Sequence, residues 1–265
     1  MSEVFGIDVS HYQKSIDWKK VSAQGIKFAI MKCQYEAQSH RIDETFESNY
    51  RGAGIYGISR GVYIFIGSAS IANPVADAEA LLGHLSDRPL EYGIWLDYES
   101  EALRKQGKER IKELTEIYAS RFRSAGYYVG IYCNQDWYDH VIHPDLKRQY
   151  DFWIARYPKN DVGKYSPTSK LRPSKAIASA WQYSSKGHID GIPTLVDLDV
   201  DYDGIVSLMA ETPYKKTNDE IVQEVLAGKW GTKDTRPTRR ELLTRAGYDY
   251  ETIRNLVNAA YEKKN

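Results

Sequence analysis

Gly93-Ile94-Trp95-Leu96-Asp97-Tyr98-Glu99 is a short apolar run that ends in two acids. The run predicts a buried strand, and because side chains alternate between the faces of a strand, Asp97 and Glu99 point the same way. Their carboxylates are expected roughly 6–7 Å apart, so they compete for one proton. One acid can then stay charged while the other keeps its proton near neutral pH, as cleavage of a glycosidic bond requires. The alternative is an acid pair at a solvated strand end.

The spacing of similar runs predicts the fold class. Helical patterns over Asp43–Gly57, Val75–Leu85 and Lys108–Ala125 separate the early strands; Pro74 suits a helix start and Gly126 a helix end. Alternating strands and helices predict a parallel sheet, and eight strands predict a closed α/β barrel. The eight runs lie near Phe5–Val9, Phe28–Lys32, Gly61–Ile66, Ile94–Tyr98, Tyr128–Cys133, Phe152–Ala155, Ala178–Tyr183 and Val196–Val200.

The second half of the chain departs from this alternation. Residues 157–177 contain three prolines and no helical period, and residues 184–195 contain Gly187, Gly191 and Pro193. Loops therefore join the last strands, and the predicted architecture is an irregular (β/α) TIM-like barrel with helix-poor last strands.

The residues at the ends of the predicted strands are acids, amides and aromatics. In an α/β barrel the chemistry lies at the carboxyl ends of the strands, so these side chains are expected to form an acidic cleft lined by aromatic rings. In chain order they are Asp8, Gln34, Tyr63, Phe65, Asp97, Glu99, Tyr132, Tyr157, Gln182, Asp197 and Asp199. Trp153 and Trp181 stand in the same strands and are either core or cleft residues.

Composition narrows the classes of function. The chain has 21 Tyr and 6 Trp against 6 Phe, and such amphipathic rings suit sugar binding. The formal net charge is zero, so nothing favours a nucleic-acid partner.

No apolar stretch approaches the ~18 residues of a membrane span, and no signal-peptide pattern begins the chain. Cytoplasmic synthesis without membrane insertion is therefore expected. The sequence leaves the oligomeric state open.

Metal and redox sites are not expected. Cys33 and Cys133 lie in apolar runs and are interpreted as buried thiols. The six histidines show no metal-ligand spacing, so no metal or other cofactor is predicted. His11, close to Asp8, is interpreted as a hydrogen-bonded loop residue in preference to a substrate contact.

Six blocks of the chain, in order, resemble glycoside hydrolase family 25, the muramidase-type lysozymes. The likeness runs from about Val4 to Leu208. The blocks are Gly6-Ile7-Asp8-Val9-Ser10, Gly61-Val62-Tyr63-Ile64-Phe65, Leu96-Asp97-Tyr98-Glu99, Trp153-Ile154-Ala155-Arg156-Tyr157, Trp181-Gln182-Tyr183-Ser184 and Val196-Asp197-Leu198-Asp199.

The resemblance implies an incomplete α/β barrel that hydrolyses the β-1,4 bond from N-acetylmuramic acid to N-acetylglucosamine in peptidoglycan. It implies Glu99 as general acid/base, Asp97 as its charged partner and Asp8 as a third carboxylate beneath the sugar. A fourth acid is expected near the last strand, and Asp190 and Asp197 both remain candidates. Net retention at the anomeric carbon is expected. The expected substrate-binding residues are Tyr63, Phe65, Tyr132, Trp153, Tyr157, Trp181 and Gln182.

The tail resembles the short cell-wall-binding repeat found in some phage lysozymes. From Tyr214 onward it carries 11 Lys and Arg against 8 Asp and Glu, and its pattern predicts three short helices. The third carries Ile253, Leu256, Val257 and Ala260 on one face. The expected domains are a catalytic barrel over 1–210, a polar linker over 211–218 and a binding module over 219–265. The expected wall-binding residues are Lys229, Trp230, Arg239, Arg240 and Tyr248.

Two hypotheses from different classes follow. The first is a cell-wall hydrolase, an endolysin or related autolysin; the missing signal peptide favours an endolysin that reaches the wall through a separate membrane-permeabilising protein. The second is a catalytically silent barrel that binds peptidoglycan through its tail. For the tail itself, the alternative to a binding module is a helical cap packed on the barrel.

Overall fold

Eight strands close a barrel in the computed structural model, which describes residues 3–36, 39–86, 88–202, 218–234, 238–240, 243 and 248–262. The strands are β1 Val4–Val9, β2 Phe28–Lys32, β3 Ser59–Phe65, β4 Ile94–Tyr98, β5 Val129–Asn134, β6 Phe152–Ala155, β7 Ala180–Gly187 and β8 Val196–Asp201. The barrel helices are α1 Trp18–Ala23, α2 Phe46–Ile55, α3 Ser68–Ala72, α4 Pro74–Leu85, α5 Glu101–Arg104, α6 Gly107–Ser124 and α7 Pro144–Gln149.

These elements confirm the predicted fold class. Helix α4 begins at Pro74, and α6 is followed by Gly126 in the left-handed conformation (φ 88°) that favours glycine. Residues 157–179 contain no helix, as the prolines predict. Among the described helices, none has the length and hydropathy to cross a bilayer.

The prediction of a wholly parallel sheet is wrong for the last strand. Strand β8 runs antiparallel to both β7 and β1, whereas β1 to β7 pair in parallel. The reason is the short connection: only eight residues separate Gly187 from Val196 in the sequence, too few for a helical crossover back along the barrel. The amino end of β8, with Asp197, therefore meets the carboxyl ends of the other strands.

The barrel interior is filled by aromatic rings below the mouth. Phe28 and Tyr92 stack with ring centroids 4.2 Å apart, and Trp95 meets Trp153 edge-on at 5.9 Å. Gly130 makes room for this packing, since a Cβ there would lie 2.4 Å from the Trp95 ring. These rings fill the barrel interior, and the pocket at the mouth lies next to them.

The chain divides into two units, Met1–Tyr214 and Lys215–Asn265. The expected linker lies outside the described residues except for Asn218, where the first tail helix, Asn218–Leu226, begins. A later helix spans Tyr250–Glu262, and most of the expected middle helix also lies outside the described residues. The tail has its own apolar cluster, in which Ile253 and Val257 are buried; Leu256, expected on the same face, is instead 38% exposed.

Candidate active site

A pocket of about 240 Å³ opens at the mouth of the barrel. It lies where the parallel strands end and β8 begins, and cross-strand pairing sets Asp8 opposite Asp197. The pocket is lined by Asp8, Tyr63, Asp97, Glu99, Tyr132, Trp153, Tyr157, Gln182 and Asp197. The structure thus brings together nine of the residues that the strand ends and family blocks single out, four of them acids.

The two acids of β4 differ in environment. Asp97 is 6% exposed, and no hydrogen-bond partner among the described residues reaches its buried Oδ1, whereas Glu99 follows the strand and is exposed. Burial, reinforced by the charge of Glu99, raises the pKa of Asp97 well above its usual range. Burial also raises the pKa of Glu99, and the positive charge of Lys32 opposes both shifts. Both acids therefore keep a proton to higher pH than a fully solvated carboxyl group does.

The other two acids face each other across the strands β1 and β8. Burial raises the pKa of Asp197 to about 6, and the charges of Asp161 and Glu99 contribute to this rise. The pKa of Asp8 is raised well above its usual range by burial and then by Asp197 and Asp199. Asp8 Oδ2 accepts a hydrogen bond from Gln182 Nε2 at 2.7 Å, which lowers that pKa in part.

A chain of hydrogen bonds orients the polar side of the pocket. Tyr132 Oη donates to Gln182 Oε1 at 2.9 Å, which directs the amide Nε2 of Gln182 toward Asp8. On the next strand, Trp153 Nε1 donates to Asp199 Oδ1 at 2.8 Å. The Tyr132 and Trp153 rings also pack together, with centroids 4.3 Å apart. These contacts hold the pocket wall rigid before any ligand arrives.

Two of the expected substrate-binding residues do not line the pocket. Trp181 is buried, and its Nε1 donates to Arg156 O at 2.8 Å; side chains alternate along β7, so Gln182 faces the pocket and Trp181 faces away. Phe65 ends β3 two residues beyond Tyr63 and is half-buried outside the pocket. Trp181 therefore faces away from the pocket, and a substrate contact of Phe65 stays a prediction.

The structure separates the two candidates for the fourth acid. Asp190 is exposed in the turn between β7 and β8, where its backbone bonds to Gln24 and its side chain approaches Lys20 at 3.5 Å. It lines a separate surface depression and does not line the pocket at the barrel mouth. Asp197 faces the pocket because it begins the reversed strand β8.

One contributor to the site, Asp161, is not predicted from the sequence. Asp161 is buried and accepts hydrogen bonds from Ser184 Oγ (2.8 Å), Ser185 N (2.7 Å) and Gly163 N (3.0 Å). It thereby ties the loop that follows Tyr157 to β7. An Asp two residues before a Gly is common in any turn, so only the contact with β7 reveals this function.

The part of the chain that the structure describes contains one cluster with metal-ligand geometry. Potential ligand atoms of His11, Asp43 and Glu44 lie within 4.8 Å of one another. The Asp43 oxygens already accept from His11 Nδ1 at 2.9 Å and from Thr45 N and Oγ1 at 2.9 and 2.7 Å. These bonds explain the cluster as a hydrogen-bonded loop, the interpretation favoured for His11 from the sequence.

The expected wall-binding residues of the tail fall into two groups. Tyr248 is buried, Trp230 Nε1 donates to Glu224 Oε2 at 2.9 Å, and Arg239 Nε donates to Gly231 O at 2.9 Å, so these three side chains support the module itself. Lys229 and Arg240 are exposed, and Arg240 lies 5.3 Å from the Tyr250 ring centroid.

Comparison with known families agrees with this geometry. The family described as glycosyl hydrolases family 25 matches residues 7–192, and the CW_7 repeat matches residues 219–260. The chain therefore belongs to glycosyl hydrolases family 25. It is an enzyme of the lysozyme class, with a CW_7 repeat at its carboxyl end.

Individual relatives support the assignment. Lysozyme M1 of Streptomyces globisporus is 29% identical over 205 residues, which cover 74% of this chain and 67% of that protein. The bacterial lysozyme from Streptomyces coelicolor superposes with a TM-score of 0.59 at 22% identity, covering 80% of this chain and 99% of that one. The catalytic domain of endolysin ply40 from Listeria monocytogenes bacteriophage P40 gives 0.60 at 24% identity, covering 78% and 96%. These structural likenesses concern the fold.

Proposed function

We propose that this chain is an N-acetylmuramidase that hydrolyses the β-1,4 bond between N-acetylmuramic acid and N-acetylglucosamine in peptidoglycan, with net retention. One observation carries the proposal. Asp97 is buried with an oxygen that no donor in the described part of the chain satisfies, two residues before the exposed Glu99 on the same pocket wall. A buried acceptor without a donor is costly in the free enzyme and is well suited to a donor supplied by the substrate.

Glu99 is the general acid/base in this proposal. Desolvation raises its pKa, which favours the protonated form that a general acid needs, and its exposure allows it to reach the leaving oxygen. After the bond breaks, the glutamate that remains can take a proton from the attacking water.

Asp97 acts on the other side of the anomeric carbon. Its unsatisfied oxygen can accept the N–H of the substrate's 2-acetamido group, so that the acetamido oxygen attacks the anomeric carbon and forms a cyclic intermediate. In the alternative, Asp97 itself attacks and forms the glycosyl-enzyme bond. Both routes invert the carbon twice and give net retention. Asp8 and Asp197 then supply negative charge around the positive ring of the transition state.

The stereochemistry of the first-formed product tests retention. Proton NMR during cleavage of a purified soluble glycan should detect the β-anomer before mutarotation, and an initial α-anomer contradicts both routes. A substitution tests the role of Asp97. Asp97→Asn should reduce turnover by about 10²–10⁴-fold, because the amide can neither attack nor stabilise a developing positive charge. The matched control, Asp190→Asn, removes an exposed acid outside the pocket and should retain full activity. No turnover in the parent enzyme would favour the silent peptidoglycan-binding alternative.

The tail is proposed to bind the cell wall. It forms a separate unit with its own apolar cluster, and the CW_7 match covers most of it. Exposed Lys229 and Arg240 are the best-placed of the expected contacts, while Trp230, Arg239 and Tyr248 make contacts within the module. A tethered module raises the local concentration of the enzyme at the wall without contributing to the chemistry.

Truncation tests the role of the tail. A chain that ends near Thr212 should cleave soluble fragments at the parental rate and lose about tenfold or more on whole walls. The fragment 214–265 should sediment with purified peptidoglycan; a folded fragment that stays in the supernatant at low salt contradicts the proposal. A large fall in the melting temperature of the truncated barrel would instead support a structural cap.

The site of action follows from the substrate. We infer an endolysin or autolysin that acts on the bacterial wall after release, without a cofactor, nucleic-acid partner or membrane insertion. Lysis from outside by the purified protein, with no lysis on expression inside intact cells, is the expected pattern.

A further inference from the structure

Asp199 is a buried acid that the proposed chemistry does not use. It lies on the inner face of β8, fully buried, and Trp153 Nε1 donates to its Oδ1 at 2.8 Å. No N–H or O–H donor among the described residues reaches its Oδ2, which is also buried. The carboxyl of Asp8 is within hydrogen-bonding reach of Asp199. Two carboxylates cannot bond to each other unless one of them carries a proton.

Among the described residues, the groups that act most strongly on this pair include no cation. Neutral donors face this pair from three strands: Tyr132 on β5, Trp153 on β6 and Gln182 on β7. The charged groups acting on the pair are acids, namely Asp97 on β4 and Asp197 on β8. Next to them lie Tyr63 on β3, Tyr92 before β4, Tyr183 on β7 and Asp201 on β8, while Lys32 on β2 acts on Asp97 and Glu99.

We propose that Asp199 is a positioning residue that carries a proton and donates it in a hydrogen bond to Asp8. Asp8 then remains a carboxylate, held by the O–H of Asp199 and the amide of Gln182, with its charge directed into the pocket. A hydrogen bond from a carboxylic acid to a carboxylate is among the stronger ones in proteins, and it satisfies the donor-free oxygen of Asp199. Burial, reinforced by the charge of Asp197, raises the pKa of Asp199 well above its usual range, while the hydrogen bonds with Trp153 and Asp8 lower it in part.

Asp97 also has a buried oxygen that no donor among the described residues reaches, but Asp97 and Asp199 differ in their access to the pocket. Asp97 lines the pocket and is accessible to a substrate donor, whereas Asp199 lies outside the pocket lining. The proton on Asp199 therefore positions Asp8 and does not contact the substrate. The catalytic importance of Asp8 rests on the proposed function, but the protonation of Asp199 does not.

Two substitutions separate a proton donor from a charged acid. Asp199→Asn keeps the shape, accepts from Trp153 and donates an amide N–H to Asp8, so turnover should fall by less than about threefold. Asp199→Leu removes both bonds and should cost about tenfold or more, because Asp8 loses a donor. A loss in the Asn variant as large as that of Asp97→Asn overturns the proposal.

A titration of the free enzyme tests the proton directly and needs no substrate. Carbon-13 NMR of aspartate carboxyls in the parent enzyme should include a protonated Asp199 at about pH 7. Asp199→Asn should remove one protonated carboxyl and leave Asp8 charged, whereas Asp199→Leu, if it folds, should raise the pKa of Asp8. The matched control Asp201→Asn, on the same face of β8, should leave the titration of Asp8 unchanged. An Asn variant with as many protonated carboxyls as the parent overturns the proposal, even if Glu99 and Asp97 prove catalytic.

Discussion

The acids at the barrel mouth and two acids outside it, Asp161 and Glu91, have opposite environments. Asp161 accepts hydrogen bonds from Ser184, Ser185 and Gly163, and Glu91 accepts from the backbone and side chain of Arg60. Although burial alone would raise the pKa of both acids, these bonds outweigh it and hold the pKa below its usual range. At the mouth, burial raises the pKa of Asp97, Glu99 and Asp197.

This difference separates acids that stabilise the fold from acids available for chemistry. A carboxylate with a full set of donors is charged at neutral pH and has no reason to exchange protons. A carboxylate that is desolvated without donors is less stable in the free enzyme and more reactive toward a substrate that supplies donors. Replacing the acids of each region should therefore have different consequences.

The largest effect is expected for Glu99→Gln. Glutamine keeps the shape but cannot transfer the proton, and such a role contributes about 10²–10⁴ in rate. Turbidity loss of purified walls and the melting temperature should be measured together; activity should collapse while the fold remains. The matched control Glu101→Gln removes an exposed acid two residues away and should be neutral. Retention of more than about a tenth of the rate excludes this role for Glu99.

Asp161→Ala should have the opposite effects: it should destabilise the fold and leave the folded enzyme active. It leaves three donors without their carboxylate, two of them backbone N–H groups, and should lower the free energy of unfolding by about 2–3 kcal/mol. Urea unfolding measures this loss, with the exposed Asp190→Ala as the control. If stability is unchanged while activity is lost, Asp161 belongs with the catalytic acids and the division between the two regions fails.

Asp97→Asn should stabilise the folded enzyme while it abolishes turnover. The folded-state pKa of Asp97 is raised, so the stability linked to its protonation is complete below the unfolded pKa and is lost as pH rises through the folded pKa. The amide removes this dependence. The gain over the parent should therefore appear only as the pH rises through that window, and melting temperatures from acidic to neutral pH measure it. An Asn variant less stable than the parent at neutral pH contradicts this account.

The smallest effect is expected for Lys32→Met. The Lys32 charge lowers the pKa of both Asp97 and Glu99, so its removal should raise both and move the pH–rate profile toward higher pH. Rates on soluble glycan across the pH range measure the shift, and the exposed Lys27→Met provides the control. A shift toward lower pH would mean that Lys32 does not act on these acids through its charge.

The sequence alone determined the elements and most of the site. Apolar runs and the helical periods between them predict the barrel, because these patterns depend on local spacing. The alternation of β4 puts Asp97 and Glu99 on one face. The predicted strand ends include eight of the nine residues that line the pocket, and the strand pattern leaves the ninth, Trp153, open between core and cleft. Neighbouring residues of a strand face opposite sides. Since Gln182 of β7 is expected in the pocket, the same rule predicts that Trp181 faces away from the pocket.

Only the tertiary structure decided which acids meet and which have partners. The reversal of β8 brings Asp197 to the mouth and leaves Asp190 on the outer surface, and strand direction depends on pairing between segments that are distant in the sequence. The donors of Asp161 and the donor-free oxygens of Asp97 and Asp199 also arise from contacts between different strands and loops. Residue type and spacing specify a carboxylate, whereas its charge depends on burial and on donors that the folded chain brings to it.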